Sequence, residues 1–142
     1  MLGLAREAEG LLWSYPINAL RLNDAESQLA ELRNLLDCRG QTYDHIPAKS
    51  GTHSDPVAGL FERIEPIERI VAKLRDNVAV VADLRDTLKH SQDSKDVDMY
   101  NLMELFYFEH KGFSEVASLL GKSVRTLSRV RQSLIASVIK RM

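Results

Sequence analysis

Two long stretches of this chain repeat their apolar residues at spacings of three and four, and that period admits few folds. Val57, Leu60, Ile64, Ile67, Val71, Leu74, Val78 and Val81 alternate three-four over more than three heptads. Leu84 and Leu88 continue the series with a one-residue shift. Earlier in the chain, Ala8, Leu11, Tyr15, Leu22, Ala25, Leu29, Leu32 and Leu36 keep the same rhythm. A strand turns every second side chain to the same face, so β-structure would scatter these residues over both faces. On a helix they form one stripe, the seam of a coiled coil or a helical hairpin. The expected fold class is all-α, led by a long antiparallel helical hairpin of coiled-coil type. A hairpin closing on itself and a homodimer through the long helices satisfy the seam equally.

The breakers set the boundaries. Pro16 should kink or restart the first helix. Residues 39–55, RGQTYDHIPAKSGTHSD, read as a loop, because Gly40, Pro47, Ser50, Gly51 and Thr52 end all periodicity. Asp55 followed by Pro56 is a strong helix start, a capping side chain and then proline at the first helical position. Pro66 should bend the second helix or mark the start of a shorter one. Residues 91–96, SQDSKD, form a polar hinge in which Asp93, Ser94 and Asp96 suit helix capping. A helix over 97–110 follows, with Met99, Leu102, Met103, Leu105, Phe106 and Tyr107 as its core side. The division expected from this pattern is 1–92, a helical hairpin with loop 39–55, and 93–142, a C-terminal module.

Composition excludes several classes. With 44% hydrophobic and 27% charged residues in 142, the chain is too apolar for general disorder and has room for one domain or two small ones. No apolar run approaches the roughly 20 residues that span a membrane, and acidic residues precede the first apolar patch, so a cytoplasmic protein without a signal peptide is expected. The single Cys38 cannot form an internal disulfide and reads as a small buried or half-buried residue. Four histidines, one cysteine and no Gly-rich phosphate loop supply no catalytic constellation, so no enzyme and no cofactor are expected. His45 and His53 lie near Asp44 and Asp55, yet nothing fixes their geometry, and solvated loop side chains are the simpler reading. Asp93, Asp96 and Asp98 lack the glycine and bidentate glutamate of a calcium loop. No metal is expected. Glu62, Glu65 and Glu68, interleaved with Arg63 and Arg69, read as a solvated helix face.

The net charge of −1 conceals a division. Residues 111–142 hold seven Lys or Arg and one acid, whereas residues 1–110 hold 12 and 19. A basic tail on an acidic body points to a polyanion partner for the tail alone. Within that tail, residues 113–134 read FSEVASLLGKSVRTLSRVRQSL. Val116 and Leu120 share a helix face, and Ala117 is small enough for a second helix to cross closely. Gly121 suits a left-handed helix end, and Ser123 suits the N-cap of the next helix. Leu127, Val130, Leu134 and Val138 then recur at three and four, with Arg125, Arg129, Gln132, Ser133 and Lys140 opposite. This is the pattern of a helix-turn-helix whose second helix, residues 124–139, enters the major groove of double-stranded DNA. An ordinary amphipathic helix with a solvated basic face satisfies the same spacing.

Residues 99–138 resemble the C-terminal region 4 of bacterial sigma factors. The parts that carry the resemblance are LMELFYF, EVASLLG, Ser123 and VRTLSRVRQSL. The layout of the whole chain is similar to phage-encoded sigma-like regulators of the ArpU and RinA type. The resemblance implies a sequence-specific regulator of phage or prophage transcription. The candidate DNA-binding residues are Lys122, Ser123, Arg125, Thr126, Ser128, Arg129, Gln132, Ser133 and Lys140. Arg125 and Arg129 are placed to read guanine, with Thr126 and Gln132 beside them; Lys111, Lys122, Lys140 and Arg141 suit phosphate. Gly112 stands where Ser or Thr usually caps the first helix, Lys122 where an apolar turn residue is common, and Val124 where a polar residue is common. Arg131 lies near the apolar face and is expected to pair with Glu104 or Glu109. Two alternatives remain: an adaptor docking on RNA polymerase, and a small terminase-like component of phage DNA packaging.

Overall fold

The computed structural model describes residues 2–43 and 56–142. These residues are all-helical. Five helices run in order: α1 (Leu2–Tyr43), α2 (Pro56–His90), α3 (Ser94–Leu102), α4 (Phe113–Leu120) and α5 (Val124–Arg141), with a π-helical segment, Met103–Phe108, continuing α3. No described helix is long and apolar enough to cross a membrane. Gly40 does not stop α1, which continues to Tyr43, so part of the expected loop is helical. Asp44, His45, His53 and Asp55 lie outside the described residues, as does the rest of that loop. Pro16 and Pro66 both sit inside their helices, and neither ends one.

The chain divides into two compact units, Ala19–Arg75 on one side and Met1–Asn18 with Asp76–Met142 on the other. In the second, Ala8, Leu12, Val81, Leu84 and Leu88 share one apolar cluster with residues of α3, α4 and α5.

In the unit Ala19–Arg75, Ala25, Leu29 and Leu32 pack with Leu60, Ile64 and Val71. These are seam positions of the three-four pattern. Arg33 meets Glu68 at 3.2 Å and Arg75 meets Glu26 at 3.0 Å, so the two segments run in opposite directions. Both pairs are solvent-exposed and set register more than stability, about 0–1 kcal/mol each. Glu65 pairs with Arg69 one turn along the exposed face. Cys38 is exposed rather than buried. It lies nine residues beyond the buried Leu29, about 900° of helix rotation, which turns it to the opposite side.

The second unit holds the larger core. Leu12, Val81, Leu102, Met103, Tyr107, Val116, Leu127, Leu134 and Val138 are fully buried. Leu12, outside the strict seam, is buried because this end of α1 packs against several elements and needs a wider apolar face. Asp93 caps α3, its carboxylate accepting from the Lys95 amide at 3.2 Å. Ser94 already belongs to the helix, and Asp96 lies in its first turn, where it accepts from the Ser91 hydroxyl at 2.6 Å.

The helix expected over 97–110 does not remain α-helical. From Met103 the turns widen, and the Glu109 amide reaches back five residues to the Glu104 carbonyl at 3.0 Å. A π-turn shifts side-chain phase relative to a regular α-helix, and the three successive aromatic residues of this segment all find ring partners. Phe106 meets Trp13 and Phe113, Tyr107 meets Trp13, and Phe108 stacks on Tyr15. The chain then reverses at His110, whose φ is 60°. Its ring stacks on Trp13 with planes 3° apart.

Gly112 caps α4 through backbone alone, with an ordinary extended conformation. Gly121 is different: its φ is 65° and ψ 31°. The Lys122 amide reaches the Ala117 carbonyl at 2.9 Å, and the Gly121 amide reaches Ser118 at 3.2 Å. That pair of bonds is the Schellman closure. A Cβ on Gly121 would meet nothing within 4 Å, so the cost of Gly121→Ala is backbone strain alone, about 1–2 kcal/mol. Urea denaturation should show this loss, and Gly121→Asn should lose less, since Asn tolerates the left-handed region.

Candidate nucleic-acid interface

The interface candidate is the outer side of α5. Its first residues follow from Ser123, whose hydroxyl accepts from the Thr126 amide at 3.1 Å and donates to the Thr126 hydroxyl at 2.8 Å. This cap fixes where the helix begins and so fixes the phase of every side chain after it. Leu127, Leu134 and Val138 are buried at 0% exposure, with Val130, Ile135 and Ile139 packed beside them. At about 100° per residue, Arg125, Arg129 and Gln132 fall on the opposite side. Lys140 lies on the same stripe two turns beyond Gln132.

Lys122, Ser123, Arg125, Thr126, Ser128, Arg129, Gln132, Ser133 and Lys140 are all exposed. The arrangement brings Arg125, Arg129 and Gln132 together along one stripe, with Ser128 and Ser133 on its flanks. Among the described residues, neither Arg125 nor Arg129 has an ion pair or hydrogen bond through its side chain. Ser123 and Thr126 are committed in part to the cap.

The phosphate-binding candidates differ more than their sequence suggests. Lys122 Nζ lies 3.3 Å from Asp98 Oδ2 on α3, so it must leave a carboxylate to reach a phosphate. Lys111 lies 3.8 Å from Glu109, and Arg141 donates to the Thr87 hydroxyl at 3.4 Å. Lys140 has no ion pair among the described residues.

Arg131 faces inward, and its partner is neither Glu104 nor Glu109. Glu104 takes Arg85, and Glu109 takes Lys111. Arg131 Nε donates instead to Glu9 on α1 at 2.9 Å and to the Tyr107 hydroxyl at 3.3 Å. The Tyr107 hydroxyl donates to the same Glu9 oxygen at 3.1 Å. The guanidinium also lies over the Phe106 and Phe113 rings at 5.6 and 5.9 Å. Partial burial works against its charge, and the bonds to Glu9 and Tyr107 outweigh it, so its pKa is raised. This three-residue network ties α5 to α1 and the π-helical segment. Nothing in local spacing signals Glu9, 122 positions from Arg131; only the odd placement of a cation near the apolar face hints at a partner.

Burial pushes the Tyr107 phenol well above its ordinary value, and Glu9 adds to the rise against the opposing pull of Arg131. The sign follows directly. Above the ordinary pKa of 10.0, the unfolded chain releases this proton while the folded chain keeps it. Stability should therefore fall as pH rises beyond about 10, by up to about 1.4 kcal/mol per pH unit from this group. Absorbance of tyrosinate should show Tyr107 ionising only on unfolding, and Tyr107→Phe should remove that delayed step.

Among the described residues no three His, Cys, Asp or Glu side chains gather in a way that would hold a metal ion. No family model matches the chain, and neither a curated protein nor a solved structure matches it.

Proposed function

We propose that the protein is a sequence-specific DNA-binding regulator of phage or prophage transcription, built as a helix-turn-helix in which α5 is the reading helix. One observation supports this above the others: Arg125 and Arg129 stand exposed, and unpaired among the described residues, on the side of α5 directly opposite its buried face. Two planar cations one turn apart suit bidentate contacts to guanine, each worth about 1–3 kcal/mol of discrimination. The capped, left-handed turn before α5 gives those arginines a fixed origin. The acidic residues over 1–110 disfavour wrapping of the duplex, so the contact stays local to the tail. The resemblance to sigma region 4 over residues 99–138 agrees with this reading.

Selection of bound fragments from a random duplex library, followed by a salt titration on the best site, tests it. The expected outcome is a shared motif and a logarithmic fall of affinity with salt, about 0.9 per phosphate contacted. Failure to retain any duplex at low salt contradicts it. The second reading is an adaptor that docks on RNA polymerase. It is favoured by Leu119, an apolar side chain 58% exposed on α4 beside the turn. It predicts capture of polymerase that ignores salt, without a duplex shift.

A further inference from the structure

The tip of α5 carries an apolar group that the arginine reading leaves unused. Val124 is the first residue of the helix and is 50% exposed. It is not part of either apolar core. Two residues on, Thr126 has its hydroxyl engaged with Ser123 at 2.8 Å. That bond fixes the Thr126 side chain at the cap. The N-terminal end of a groove-reading helix is the part that approaches base edges. In the major groove the one apolar feature of a base edge is the 5-methyl group of thymine.

We infer that Val124 is a specificity-determining residue that packs on a thymine methyl, next to a guanine read by Arg125. This rests on the DNA-binding reading above and adds to it a base identity. A polar residue at this first helical position would favour a hydrogen-bonding base edge; valine has nothing to offer one and would leave it unsatisfied. The selected site should thus contain thymine within a base step or so of guanine, and the discrimination should reside in the methyl group alone.

The test is a uracil scan. Each thymine of the best selected duplex is replaced in turn by deoxyuridine, which lacks only the methyl, and affinity is measured for the native chain and for Val124→Ser. Circular dichroism verifies that the variant remains folded. The native chain should lose about fourfold at one position, the size expected for one methyl group taken out of contact. Val124→Ser should lose a similar factor on the thymine duplex and show no further loss at that position, because the two changes remove the same contact. A flat scan for the native chain overturns the assignment while leaving the DNA reading intact, and so does an undiminished uracil penalty in Val124→Ser. If the native chain selects no duplex at all, the assignment and the DNA reading fall together.

Discussion

Alanine at both Arg125 and Arg129 should lower affinity for a selected site by about thirtyfold or more, while unrelated duplex loses much less. The estimate takes the low end, about 1 kcal/mol, for each bidentate guanine contact. Both side chains are exposed and unpaired in the described residues, so their removal should change folding stability by no more than about 0.5 kcal/mol. The loss in binding is then a loss of contact and not of fold. Lys122→Ala is the natural comparison. Its ammonium already sits 3.3 Å from Asp98, and a phosphate would have to displace that carboxylate. Its loss should weaken all duplexes about equally and only slightly. Fluorescence anisotropy on matched and scrambled sites measures both. Equal, uniform losses for Lys122→Ala and the double arginine variant would contradict the division between reading and clamping.

The largest expected effect on stability is at Tyr107. Its side chain is fully buried, and Tyr107→Ala should cost about 3–5 kcal/mol, the range for removing a large aromatic from a packed core. Against a total of about 5–15 kcal/mol for a typical domain, that is enough to unfold much of the population. Two losses combine here. The ring touches Trp13 and Phe106 with centroids 4.7 and 4.9 Å away, and the hydroxyl completes the network with Glu9 and Arg131. Tyr107→Phe separates them: it keeps the ring and should cost only about 1 kcal/mol, a typical net hydrogen bond. Guanidinium denaturation of the three proteins should rank them native, Phe, Ala. A Phe variant as unstable as the Ala variant would show that the hydroxyl, rather than the packing, carries this position.

How much of this was legible from residues alone depended on distance along the chain. Short-range chemistry was readable. Gly121 marks a left-handed turn because glycine adopts that conformation without the Cβ strain most residues meet there, and Ser123 marks a cap because its hydroxyl serves an amide three residues on. The three-four spacing placed Leu29, Leu32, Ile64 and Val71 correctly on packed faces. The exposure of Arg125 and Arg129 followed from the same period, since burying Leu127 and Leu134 sends them outward. What could not be read was any choice made by tertiary contact. The π-turn at Met103–Phe108 was one such feature, because helical periodicity assumes a uniform turn. Arg131 looked destined for a nearby acid, but the carboxylates of the preceding segment pair elsewhere and Glu9 arrives from the other end of the chain. Lys122 looked free because Asp98 lies 24 positions away in sequence. The compact units also cut across α1 and α2, which a reading by helix boundaries cannot anticipate.

Contact between the outer side of α5 and DNA is read most directly from amide chemical shifts as a selected duplex is titrated into the labelled protein. The largest changes should cluster over residues 121–133, strongest near Arg125 and Arg129, with Ala19–Arg75 nearly silent. Changes concentrated in Ala19–Arg75, with α5 unmoved at saturation, would contradict that contact.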